Sequence, residues 1–248
     1  MIFKDKFVVV TGASTGIGRA IAVEFGKEGA TVGLVARRKA ELEKTKEMVE
    51  KAGGEGEIFQ ADLSDLASVN NLIKDIKAKT DKISVLVNVA GVWHGKDEVF
   101  AGRDFESFDQ KTILDTYMVG FTSPTLLVHG LLEQLALGGG KVANISGTFE
   151  SGAKGWLPYY ASKRGLEDLT VGLSEELKRL AIDVNCISPS DVATEEYKKY
   201  FPEDAQDALS PEEIAKEAVH FCSDVSDGVT GKIFVMKKGK MTSEKFHA

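Results

Sequence analysis

The sequence predicts an α/β protein, a single doubly wound domain in which a seven-stranded parallel sheet is flanked by helices. Three observations predict it. Short runs rich in Val, Ile and Leu recur along the chain, segments long enough for crossover helices separate most of them, and no Pro/Gly/Ser linker divides the 248 residues. A chain of that length can bury most of its apolar surface in one core.

The first strand is expected over Phe7–Thr11, where three consecutive valines read as a strand covered on both faces. Thr31–Ala36, Gly56–Gln60 and Ile83–Asn88 follow, the last carrying the continuous apolar run Val85-Leu86-Val87. Gly138-Gly139-Gly140 makes a turn into the fifth strand, Lys141–Ser146, and Asp183–Ile187 and Lys232–Met236 complete the set. Right-handed crossovers between such strands give a parallel sheet. Ser210-Pro211-Glu212-Glu213 reads as a capped helix start.

Composition excludes several classes. Hydrophobic residues make up 43% and charged residues 28%, with a net charge of −7, so no basic face dominates to bind nucleic acid or an anionic membrane. The apolar runs fall well short of the roughly 20 residues of a membrane span. Lys4, Asp5 and Lys6 precede only a brief valine run, without a secretory leader pattern. Cys186 and Cys222 build neither a disulfide framework nor a CxxC metal site. A cytoplasmic protein that needs no metal is the expectation.

The first candidate site is the junction from Val8 to Ala22. The strand stops at Gly12, and Gly16 and Gly18 open a helix whose N–H groups and positive dipole end suit a pyrophosphate. A Walker A loop is excluded because no register supplies its lysine. The second strand ends in Ala36-Arg37-Arg38. An acid at that end would take ribose hydroxyls, whereas Arg accommodates a 2′-phosphate, so Arg37 and Arg38 favour NADP(H), with NAD(H) as the alternative.

The second candidate is Tyr159 with Lys163, four residues apart on one face of a starting helix. A phenol titrates near 10, and moving it down by about 3 units takes about 4 kcal/mol of preferential anion stabilisation. A neighbouring ammonium in a low-dielectric cleft, together with a positively charged nicotinamide, supplies stabilisation of that kind.

Together these motifs resemble the short-chain dehydrogenase/reductase family over nearly the whole chain, most like its 3-oxoacyl-thioester (acyl-carrier-protein) reductase branch. Thr11-Gly12 to Gly18 is similar to the family's TGxxxGxG motif, and Asn88-Val89-Ala90-Gly91 to its NNAG strand end. Tyr159 and Lys163 match YxxxK, and Ile187-Ser188-Pro189 with Thr194 resembles the PGxxxT segment. The resemblance implies a Rossmann-like fold and hydride transfer between a nicotinamide and a carbonyl or secondary alcohol. It implies cofactor contacts from Gly12, Ser14, Thr15, Gly16, Ile17, Gly18, Arg37, Arg38, Asp62, Leu63, Asn88, Ala90, Gly91, Pro189, Val192 and Thr194, besides Tyr159 and Lys163. Tyr159 becomes the proton donor to a carbonyl, or the base toward an alcohol, and Lys163 lowers its pKa and holds the nicotinamide ribose. A homodimer or homotetramer, built through the helices before and after the fifth strand, is implied in the same way.

A hydroxyl at the end of the fifth strand shares the developing charge on oxygen. Counting back thirteen residues from Tyr159, the family's usual separation, assigns it to Ser146, whereas counting from Asn144 reaches Gly147. Adjacent strand residues point to opposite sides, so only one of Ser146, Gly147 and Thr148 can take this place. Tyr117 stands where the family usually carries a relay Asn, Ser190 replaces a glycine, and Lys237-Lys238-Gly239 replaces an acidic, glycine-rich end. A short substrate lid is expected at about 190–210, and Trp93, His94 and Trp156 are candidates for the pocket wall. The rival reading is a nucleotide-binding regulatory or structural protein with little or no turnover.

Overall fold

The computed structural model describes residues 1–95, 98–149 and 152–244. Its first half alternates β1 (Phe7–Thr11), α1 (Gly16–Lys27), β2 (Thr31–Ala36), α2 (Lys39–Ala52), β3 (Glu55–Gln60), α3 (Leu66–Lys79) and β4 (Val85–Asn88). The second half carries α4 (Gln110–Tyr117), α5 (Ser123–Gly130), α6 (Leu132–Leu137), β5 (Lys141–Ile145), α7 (Leu157–Glu176), β6 (Asp183–Pro189), α8 (Glu195–Tyr200), α9 (Pro211–Cys222), β7 (Ile233–Lys237) and β8 (Lys240–Glu244).

All described strands join one sheet, in the order β3-β2-β1-β4-β5-β6-β7-β8. The order reverses between β1 and β4, which opens a crevice beyond their carboxyl ends, where ligands of open α/β sheets bind. Successive β1 side chains enter opposite layers. Val8 and Val10 pack with Ile21 and Phe25 of α1 and Ile214 of α9, while Val9 packs with Leu72 and Ile76 of α3 and Leu127 of α5. Covering both faces explains the unbroken valine run, and each fully buried side chain of this kind contributes roughly 1.5–3 kcal/mol.

The seven expected strands form, and one correction is needed. An eighth, β8, pairs antiparallel with β7 through a two-residue turn at Lys238-Gly239, with Gly239 at φ +71. A glycine accepts that left-handed conformation without a Cβ penalty. β6 also continues to Pro189, which pairs with Met236.

Past β6 the chain leaves the sheet and returns at a narrow neck. Ala193 N–H donates to Leu209 O at 2.8 Å and Leu209 N–H to Asp191 O at 2.9 Å, which ties off the segment that holds α8. α9 then starts with the expected capping box between Ser210 and Glu213.

Candidate active site

The three glycines of the first loop answer three different constraints. Gly12 has φ +68, and a Cβ there would lie 3.1 Å from the Ala90 nitrogen. Gly16 has φ +55, with Thr194 Cγ2 at 3.1 Å from such a Cβ, whereas at Gly18 the Cβ would sit 2.2 Å from the Gly12 carbonyl. Any other residue would therefore strain the turn or push α1 away from β1. Thr11 Oγ1 accepts from Val89 N–H at 3.0 Å, which joins the β1 end to the Asn88–Gly91 turn. Asn88 Nδ2 donates to Asn144 Oδ1 and Asn144 Nδ2 to Thr170 Oγ1, both at 2.9 Å, which links β4, β5 and α7 in the interior.

The two arginines after β2 separate. Arg38 donates to Thr15 Oγ1 at 3.1 Å and Ser14 Oγ at 3.4 Å, so its exposed guanidinium lies over the glycine loop. The charge of Arg37 acts instead on Asp62. Burial pushes the Asp62 carboxyl up, but hydrogen bonds from Ser64 and the Arg37 charge leave it below its usual range. Leu63, beside it, is buried, and its carbonyl accepts from Ser123 Oγ at 2.7 Å. Sequence reasoning missed Arg19, which donates to the Ser14 carbonyl, to Thr45 Oγ1 at 3.0 Å and to Glu41 at 2.7 Å. Its one sequence signal was its place inside the motif.

The expected chemistry converges on a cleft of about 470 Å³ at the carboxyl ends of the strands. Ile17, Ser146, Tyr159, Pro189, Val192 and Thr194 line it, as do Trp93 and Trp156. His94 does not share that lining; it stands against Trp93, with ring centroids 4.5 Å apart. Phe149 also lines the cleft and was not anticipated, because a loop residue carries no periodic signal, while Asp191 and Tyr197 line it from the segment expected as the lid. Tyr197 is a hydrogen-bond partner of Asp191, and burial, with that acid's charge next, raises its phenol well above the usual value.

Tyr159 and Lys163 meet at Gly91. A Cβ on Gly91 would stand 3.3 Å from both Lys163 Nζ and Tyr159 Cε2, so only a glycine leaves this corner open. Lys163 is 2% exposed, and its Nζ donates to the Ile145 carbonyl at 2.7 Å. Burial pushes its ammonium down to about 8, opposed by the nearby Cys186 and Glu167. Burial also raises the Tyr159 phenol. The protein alone thus keeps Tyr159 protonated, the form that can give a proton.

The candidate strand-end hydroxyl is already engaged by the protein. Ser146 Oγ donates to Glu167 Oε1 at 2.6 Å, Ser188 Oγ donates to the same oxygen at 3.0 Å, and Arg164 pairs with the other. A serine hydroxyl has one proton, so Ser146 offers the cleft only lone pairs. Glu167, 1% exposed and one turn after Lys163 on α7, is the residue behind this arrangement. Gly147 and Thr148 line the cleft as well, and a Cβ on Gly147 would meet nothing closer than Phe149 Cε2 at 3.8 Å. Tyr117 ends α4 where the helix widens into a π turn, Met118–Thr122. Within that turn, a Cβ on Gly120 would lie 2.7 Å from Ser162 Oγ, a close approach to α7.

Comparison with known proteins agrees with this fold. A family model described as short chain dehydrogenase matches residues 6–205. A fatty acyl-CoA reductase of Acinetobacter baylyi is 33% identical over 226 residues, 88% of this chain and 72% of its own length. A 3beta-hydroxysteroid dehydrogenase of Mediterraneibacter gnavus is 30% identical over 195 residues, 77% of this chain and 68% of that one. The solved structure of a metagenomic short-chain oxidoreductase in complex with NADP superposes with a TM-score of 0.76 at 27% identity, covering 90% of this chain and 92% of the other.

Proposed function

The chain belongs to the short-chain dehydrogenase family, and from that premise we propose that it is an NADP(H)-dependent oxidoreductase interconverting a carbonyl compound and its alcohol. The single observation that carries the reading is the Tyr159–Lys163 corner at Gly91, from which Tyr159 lines the same cleft as Val192 and Thr194. The relatives' names include an acyl-CoA and a steroid, so they support the family rather than one branch or substrate.

The residues fit the cofactor. The loop of Gly12, Ser14, Thr15, Gly16, Ile17 and Gly18 leaves backbone open at a helix N-terminus for a pyrophosphate. Arg38, beside Ser14 and Thr15, is the residue for a 2′-phosphate, while Asp62 and Leu63 bound the adenine side and Asn88, Ala90, Gly91, Pro189, Val192 and Thr194 the nicotinamide side. When bound, NADP(H) supplies or accepts the hydride.

In the reductive direction Tyr159 Oη gives its proton to the oxygen that becomes the alcohol. Lys163 favours loss of that proton by its charge, offsetting the burial that holds the phenol neutral. With the Ser146 proton directed to Glu167, Thr148 is the hydroxyl that donates to the substrate oxygen. The tied-off segment about 190–210 acts as the lid.

Family members typically form oligomers. Exposed Leu114 on α4, Phe121 beyond it and Leu157 on α7 support a homodimer or homotetramer through these helices. No described helix is long and apolar enough to cross a membrane.

NADPH oxidation across a panel of ketones, aldehydes and acyl-thioester mimics tests the proposal, with Tyr159→Phe as control. Loss of about 10²–10⁴-fold in kcat is expected from removing the proton donor. A variant that matched the wild type would overturn the mechanism, and NADPH binding without turnover of any carbonyl would favour the regulatory reading.

A further inference from the structure

The surroundings of Tyr159 are aromatic. Phe149 approaches its ring with centroids 5.8 Å apart at 66°, and Trp156 does so at 6.2 Å and 48°. Trp93 and Tyr197 line the same cleft. Phe201 packs against Tyr197 at 5.0 Å and against Trp156 at 6.4 Å, so the wall runs continuously from the start of α7 into α8.

From this arrangement we infer that the substrate is an aryl carbonyl compound, a ketone or aldehyde whose carbonyl carbon is bonded directly to an aromatic ring. The inference rests on Tyr159 being the acid. The carbonyl oxygen must reach the Tyr159 hydroxyl, so the group bonded to the carbonyl carbon lies within a ring's breadth of it. The aromatic rings packed against Tyr159 there are Phe149 and Trp156, and both line the cleft. Ring faces and edges attract one another in tilted and offset arrangements, and a flat substituent can use them without displacing either wall. A saturated ring of the same carbon count is thicker and has no quadrupole to match. In the reaction the C=O π bond opens as carbon gains hydride from NADPH and oxygen gains the Tyr159 proton, which leaves a benzylic alcohol, NADP⁺ and the Tyr159 phenolate, which regains its proton from solvent.

The test compares acetophenone with cyclohexyl methyl ketone, which share their heavy-atom count. Conjugation makes the aryl ketone the less electrophilic of the two, so a preference for it reports recognition by the cleft. The wild-type enzyme with NADPH is expected to favour acetophenone by about tenfold in kcat/KM, carried by KM, as one or two aromatic contacts supply. Trp156→Leu and Phe149→Leu should each shrink that ratio toward about twofold. Equal values in the wild type, a preference that survives both substitutions, or turnover of aliphatic carbonyls alone would overturn the aryl assignment and leave the Tyr159 mechanism standing. Retained turnover of either ketone by Tyr159→Phe, or no turnover of any carbonyl by the wild type, would instead overturn the reading on which the assignment rests.

Discussion

Ser146 Oγ lies 2.6 Å from Glu167 Oε1, and both side chains are buried. This contact occupies the proton of Ser146, the hydroxyl to which the sequence assigned the role, while Thr148 lines the same cleft. Thr148→Val is therefore expected to lower kcat by about 100-fold, the usual cost of removing one donor to a developing oxyanion, while Ser146→Ala loses less than about fivefold. Steady-state kinetics on one accepted substrate would decide it, and the reverse ranking would return the role to Ser146.

Gly147 offers a complementary gain. Its missing Cβ points into space with no atom within 3.7 Å, the nearest being Phe149 Cε2 at 3.8 Å, and its φ is not in the left-handed region. Gly147→Ser should fold with a stability change within about 1 kcal/mol. It should also restore to Thr148→Val at least about tenfold in kcat, since the new hydroxyl is not claimed by Glu167. A double variant no faster than Thr148→Val would exclude this position as a donor site.

Glu167→Leu removes the acceptor shared by Ser146 and Ser188 and the partner of Arg164. Breaking a buried pair from one side is expensive, and with Arg164 partly solvated the expected loss is about 3 kcal/mol. Urea denaturation measures it, and a loss under about 1 kcal/mol would mean that solvent reaches this cluster.

Lys163 titrates below its free value, near 8 instead of 10.5. Between those values the unfolded chain holds a proton that the folded one has released, so stability rises as pH climbs through that window, and below pH 8 the burial cost is present in full. Lys163→Met should abolish this rise. At pH 7 it should add about 2 kcal/mol, the relieved burial cost less the hydrogen bond to Ile145. Unfolding curves at pH 7 and pH 10 for both proteins test the sign. In the wild type, kcat/KM for carbonyl reduction should fall above about pH 8 as the ammonium that assists Tyr159 discharges.

Arg38→Ala should raise the Kd for NADPH by roughly 10–100-fold, the worth of charged hydrogen bonds to a phosphate, and leave NADH within about threefold. Arg37→Ala, whose charge acts on Asp62, should shift both cofactors alike. Fluorescence titration separates the two patterns.

Much of the fold was legible because it is local. Phe7–Thr11 and Thr31–Ala36 were bounded correctly since each is a buried apolar run between turn residues. β8 was missed because Lys240, Thr242, Ser243 and Glu244 carry no apolar pattern, and the strand forms through backbone pairing with β7. Tyr159 and Lys163 were readable for a similar reason, one helical turn apart on a single helix. Glu167 was not, because its partners Ser146 and Ser188 lie 21 residues away on either side and meet it only once β5, β6 and α7 pack. The aromatic wall joins residues from four separate loops and helices, a relation that no spacing encodes.

The β7–β8 hairpin decides how this sheet ends. A strand with a vacant row of amides can recruit any extended segment, and β7 with its buried apolar residues would be a template for that. β8 occupies the row from within the same chain, and Lys237, Lys238 and Lys240 surround the turn with charge. The outermost described strand is thus short and charged at both ends, features that discourage strand addition. Trimming the protein back to residue 237 would turn that border into an adhesive one, a change of solubility rather than of chemistry.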